Sequence, residues 1–120
     1  MKWELTHFKP ENLECKCGCG LMNMKETFMW KVEFARTEAQ MAFIVSSGCR
    51  CKEWNKHEGG TETSDHLTGE GIDVKVVGSH QRLKVVSAAI VSGIKRIGVA
   101  KTFIHLGDNI RQNPVGLWSY

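Results

Sequence analysis

The chain has 120 residues, 42% of them hydrophobic and 24% charged, with a formal net charge of +3. That length supports one core and hence a single domain over residues 1–120, and with only two prolines and no low-complexity run the composition excludes a disordered chain. Scattered basic residues read as a solvated surface, and no apolar run approaches the ~20 residues of a membrane span, so neither nucleic acid nor membrane is expected as a partner. Met1 to His7 lack an apolar h-region, so no signal peptide is expected and synthesis is placed in the cytoplasm. Residues 1–21 read as an irregular, cysteine-bearing arm with a short turn near Pro10 to Leu13. Asn23 and Glu26 form a plausible capping pair for a helix that carries Phe28, Val32, Ala35 and Ala39 at helical spacing. Met41 to Val45 is a short apolar run that suits a buried strand ending at Ser46-Ser47-Gly48. The polar, Gly-rich segment from Cys49 to Ser64 reads as a long loop, and loops of that length usually carry function.

Gly71 to Val77 reads as a strand. Ile72, Val74 and Val76 share its core face, which leaves Asp73 and Lys75 on the other. Ser79 to Ser92 has helical amphipathicity through Leu83, Val86 and Ile90, with Gly93 as its stop. Ile94 to Leu106 should hold two short strands turning near Val99-Ala100-Lys101. In the second, His105 falls opposite Ile104 and Leu106. The expected fold is α+β, with helices packed on a mainly antiparallel sheet whose open face carries a metal site.

The candidate ligands are His66, Asp73 and His105. Two imidazoles and a carboxylate suit a borderline-soft divalent metal such as zinc, and three protein ligands leave a fourth position for water. Gly69 and Gly71 disfavour a helix between His66 and Asp73, so a tight turn entering a strand should join them. The five cysteines fall into two groups, Cys15/Cys17/Cys19 and Cys49/Cys51. An odd number argues against a disulfide framework, and Cys-x-Cys is not zinc-ribbon spacing. Partly buried free thiols are therefore expected, ahead of a second metal site.

The run Ser46-Ser47-Gly48-Cys49-Arg50, then Trp54-Asn55, Gly59-Gly60 and Ser64-x-His66-x-x-Gly69-x-x-x-Asp73, with the later His105, resembles the zinc D-Ala-D-Ala carboxypeptidase and murein endopeptidase family. The family shares its zinc-site architecture with lysostaphin-type peptidases and the hedgehog signalling domain. Small phage and prophage members resemble this chain further in Cys15 to Gly20 and in Trp118-Ser119-Tyr120. The resemblance implies a zinc metallopeptidase that hydrolyses peptide bonds of bacterial peptidoglycan, as a carboxypeptidase or an endopeptidase. It would act as a monomer at the cell wall, after release or as part of a phage particle. It implies that Zn2+ is held by His66, Asp73 and His105, and that Arg50 grips a substrate carbonyl or terminal carboxylate. Ser64 is expected to order the metal turn, Gly59 and Gly60 to let the loop approach the site, and Trp54 and Trp118 to wall the cleft.

A general base is not evident before the last histidine, because Ala100-Lys101-Thr102-Phe103 contains none. Asp108, three residues after His105, is the candidate, with Glu70 and His80 as alternatives. The rival function is a non-catalytic zinc domain that binds cell wall or builds a virion. Nucleic-acid binding through the cysteines ranks last.

Overall fold

The computed structural model describes residues 4–120, so the first three residues of the expected arm, on which the signal-peptide expectation partly rests, lie outside it. The elements run α1 (Pro10–Leu13), α2 (Glu26–Ala39), β1 (Ile44–Ser47), α3 (Lys52–His57), a 3-10 turn (Asp65–Thr68), β2 (Gly71–Lys75), α4 (Ser79–Val91), β3 (Arg96–Val99), β4 (Phe103–Gly107) and β5 (Gly116–Ser119). The five strands form one sheet in the order β1-β2-β4-β3-β5, antiparallel except for the parallel pair β3–β5. This is an α+β fold.

Alternation decides which side of the sheet is dry. Ile72 and Val74 of β2, Ile97 of β3, and Ile104 and Leu106 of β4 are buried in one cluster with Phe28, Val32 and Ala35 of α2. α2 packs on α4, and α4 packs on β3 and β4, so both long helices cover the same sheet face. Residues of opposite parity are left to point the other way.

Several expectations are corrected. α2 begins at Glu26, but its N-cap is Lys25 with no side-chain cap bond. Asn23 instead donates from Nδ2 to Leu67 O at 3.1 Å, which ties the chain before the helix to the metal turn. The buried face of α4 is Val85, Ala88 and Ala89, whereas Leu83 and Ile90 are exposed. Small residues let α4 sit close to α2, and the bulky stripe then falls outside. The strand after α2 starts at Ile44 rather than Met41. The loop from Cys49 to Ser64 contains α3, started by Cys51, whose Sγ accepts from Trp54 N. β5 was not foreseen, because Gly116 to Ser119 alternates too briefly to stand out. No helix among the described residues is long and apolar enough to cross a membrane.

Candidate metal centre

One row of paired residues crosses the whole sheet. Ser47 stands opposite Asp73, Asp73 opposite His105, His105 opposite Gly98, and Gly98 opposite Trp118. Directly opposed residues point to the same face, so β-pairing alone sets Asp73 beside His105 on the helix-free side. β1 joins this row through a bulge at Ser46 that shifts its register and brings Ser47 opposite Asp73. Gly98 is required here, because a Cβ there would run into the Trp118 ring. Without one, the indole lies 5.9 Å from the His105 ring centroid and under the Arg96 guanidinium, 4.9 Å away.

His66 comes from outside the sheet. Ser64 starts the 3-10 turn by accepting from His66 N at 3.2 Å, and Gly69 closes it with a left-handed φ of 72°. Gly71 then opens β2, so the turn folds His66 back over Asp73. Ser64 thus caps the turn, and it lines the cavity.

His66 Nε2 lies 3.2 Å and His105 Nδ1 2.9 Å from the same oxygen, Asp73 Oδ1. The remaining ring nitrogens are also committed. His66 Nδ1 is 2.7 Å from Gly48 O, which can only accept, so that nitrogen carries the proton and Nε2 presents a lone pair. His105 Nε2 donates to Asp65 Oδ2 at 2.7 Å, which leaves the Nδ1 lone pair facing Asp73. Two lone pairs and a carboxylate oxygen therefore converge, an arrangement that needs a cation. The three ligand atoms lie within 4.8 Å of one another and could hold a metal ion. Burial lowers the His105 pKa, but hydrogen bonds to Asp65 and Asp73 outweigh it and raise the value above the ordinary imidazole range. Burial raises Asp73, yet the same imidazoles draw it well below the usual carboxylate range. The buried donor set fits zinc: borderline-soft nitrogens, one hard oxygen, and second partners that fix both tautomers.

Asp65 was missed in the sequence, although it directly precedes His66. Its side chain is 2% exposed. It binds His105, accepts from Asn109 N at 2.9 Å on Oδ1 and receives Arg96 Nε at 3.1 Å on Oδ2. Burial raises its pKa, and the His105 bond, ahead of Asn109 and Arg96, brings it below the ordinary value. A Cβ on Gly107 would collide with this carboxylate, so Asp65 occupies the space that any side chain at that position would fill.

Asp108 is not brought to this cluster. Its Oδ2 lies 2.5 Å from Lys31 Nζ and its Oδ1 accepts from Lys95 N at 3.0 Å, so α2 and the turn before β3 hold it on the far side of β4. A strand residue and its third neighbour point to opposite faces, so three residues after His105 is the wrong parity for the same cavity. Glu70 pairs with Arg111, and exposed His80 opens α4; neither lines the cavity. Trp54 does not line it either. It stacks on His57 with ring centroids 4.7 Å apart.

Arg50 does reach the cavity. Nε bonds Ser47 Oγ at 3.1 Å, one amino group bonds Asn55 Oδ1 at 3.3 Å, and the other stands 3.5 Å from Asp73 Oδ2. The cavity encloses about 310 Å³ and is lined by the His–Asp trio together with Glu58, Gly59, Gly60, Trp118 and Tyr120.

The peptidase M15 profile matches residues 6–107. The chain belongs to the peptidase M15 family. Members of this family are zinc-dependent peptidases of the peptidoglycan-hydrolase kind. No curated protein matches the chain. The matched span holds all three candidate ligands, Asp65 and Arg50, and stops before β5, which supplies Trp118 to the cavity wall.

Proposed function

We propose that this protein is a zinc peptidase that cleaves a peptide bond in the stem or cross-bridge of bacterial peptidoglycan, as a carboxypeptidase or an endopeptidase. The observation that carries the reading is the convergence of two oriented imidazole lone pairs and Asp73 at the floor of an open cavity. Held by His66, Asp73 and His105, zinc supplies a Lewis acid for the scissile carbonyl and acidifies water from a pKa of about 15.7 to about 7.

The other roles fall to the chain's own side chains. Arg50 presents a planar guanidinium beside the ligands, held by Ser47 and Asn55, and binds the developing oxyanion or a terminal carboxylate. Asp65 fixes the His105 ring and its tautomer. It is a positioning residue, since its oxygens are taken by His105, Arg96 and Asn109. Glu58 is the lining carboxylate outside the ligand set and this clamp, and it is assigned the general base. Trp118 and Tyr120 wall the side opposite Arg50 and offer an apolar face to substrate. The resemblance of the Cys15 to Gly20 stretch to phage-type members supports delivery to the wall at lysis or on a particle.

A second reading is favoured by the exposed position of Glu58, which leaves the cavity without a buried base. In it the centre binds wall peptides and cleaves none. Purified muropeptides incubated with the zinc-loaded protein and resolved by mass spectrometry decide between the two. Shortened or uncrosslinked peptides establish the peptidase and name the bond. Binding without any product, across several wall chemistries, leaves the module reading.

A further inference from the structure

The cysteines that looked unsuited to a metal from their spacing are gathered by the fold. Cys15, Cys17 and Cys19 lie on the arm after α1, and Cys51 lies at the start of α3; their four Sγ atoms all come within 4.8 Å of one another. Cys15 Sγ is 3.4 Å from Cys17 Sγ, and Cys17 Sγ is 3.7 Å from Cys51 Sγ. Four thiolates around zinc at ~2.3 Å place neighbouring sulfurs about 3.8 Å apart, so these separations fit a shared ion. They are too long for disulfides, whose sulfurs are ~2.05 Å apart.

The backbone is arranged for thiolates. Cys15 N donates to Leu21 O at 2.8 Å and closes the arm into a knuckle with left-handed glycines at Gly18 and Gly20. Cys51 N donates to Cys15 Sγ at 3.4 Å, and Trp54 N donates to Cys51 Sγ at 3.4 Å. Such N–H donors favour sulfur that carries negative charge. A tetrathiolate zinc centre has a net charge of −2 once four protons have left, and Lys16 and Lys52 adjoin its ligands in the chain. Cys49 is excluded: it is buried in the core cluster, where its sulfur accepts from Asn23 N.

We propose that Cys15, Cys17, Cys19 and Cys51 form a second, closed zinc site that pins the N-terminal arm to the segment carrying Arg50. All four positions are protein sulfur, so the site has no place for substrate and its role is structural. The clip acts next to the cavity, because Cys51 follows Arg50 directly and Arg50 N bonds His66 O at 3.2 Å. The inference stands apart from the peptidase reading, as it involves none of the His–Asp ligands.

Metal analysis of protein purified under reducing conditions tests it. Wild type should hold two zinc ions per chain, one for each cluster. The His66→Ala/His105→Ala protein should keep one, and cobalt exchanged into it should show thiolate-to-cobalt charge-transfer absorption. Cys17→Ser/Cys19→Ser should also keep one, without that absorption; both side chains are exposed, so the core is undisturbed. Should that variant fail to fold, thiol titration of native wild type replaces it: four of the five cysteines should react only after chelation. Iron instead of zinc, an intact mass lowered by disulfide formation, or a wild type whose thiols react without chelator each overturns the proposal. Loss of muropeptide cleavage with both zinc ions retained would count against the peptidase reading alone.

Discussion

The two clusters differ in what holds their donors. The His–Asp trio stands on paired strands and a capped turn, is buried, and has each imidazole's second nitrogen engaged by Gly48 or Asp65. The four thiols stand on loop backbone, with Cys17 and Cys19 exposed, and their order comes from a few backbone N–H donors. The first is braced by the hydrophobic packing on the other sheet face. The second, if it is the closed zinc site proposed above, would gain its definition from the ion, since metal bound only by the folded state adds to stability by mass action. The contrast teaches that a centre meant to keep an open coordination position must be preorganised by the fold, whereas a closed centre can organise the fold.

The sharpest way to break the comparison is to remove one imidazole. His66→Ala should lose about 10³-fold or more of peptidase activity, because water is no longer acidified at the centre. Inductively coupled plasma analysis should show the sulfur-bound metal retained. Muropeptide turnover at the parental rate would remove His66 from the centre.

Next come the residues proposed to touch substrate. Glu58→Gln should lower turnover by about 10²–10⁴ with metal content unchanged. Arg50→Ala should cost about 10²–10³ through weaker oxyanion stabilisation, with partial rescue by Arg50→Lys, which keeps the charge but not the fork. Single-turnover assays separate these effects from binding. A Glu58→Gln protein of full activity shifts the base role to another group or to the non-catalytic reading.

A smaller effect sharpens the comparison from the support side. Asp65→Asn should weaken zinc at the His–Asp centre by about 10–100-fold, measured by competition with a chromogenic chelator. Gly107→Ala should do likewise, because its methyl group would enter the space of the same carboxylate. Asp108→Asn is the control: it should leave metal affinity and turnover unchanged and cost only about 1 kcal/mol, chiefly from the lost charge pairing with Lys31, since the amide oxygen can still accept from Lys95 N.

The smallest effect is a pH window in the chelated protein. Asp65 and Asp73 have folded pKa values below the ordinary one, so their contribution is present above ~3.9 and is lost as pH falls further. His105 is raised, so its contribution is full below ~6.5 and is lost as pH rises through its folded pKa. Thermal melts of metal-free protein should therefore peak between about pH 4 and about pH 6.5 and decline on either side. A flat profile through that range would mean the trio carries no such coupling.

Local pattern was enough for much of this molecule. Period-two alternation in Gly71 to Lys75 and Phe103 to Gly107 put Asp73 and His105 off the apolar face, and helical spacing found the buried side of α2, because each depends on near neighbours and on which side chains avoid water. Motif order marked His66 and Arg50. What the sequence could not decide was set by contacts distant along the chain. Asp65 is separated from His105 by 40 positions, and only strand pairing beside a side-chain-free Gly107 makes it a support for that ring. Asp108 is adjacent in sequence to the site, yet its side chain is turned away from it to Lys31 of α2. Cys51 reaches Cys17 across 34 positions, which no local spacing rule anticipates. Burial preferences act residue by residue and can be read from composition and period. Partner choice among buried polar groups depends on which chain segments the assembled sheet brings together, and that is a property of the tertiary fold alone.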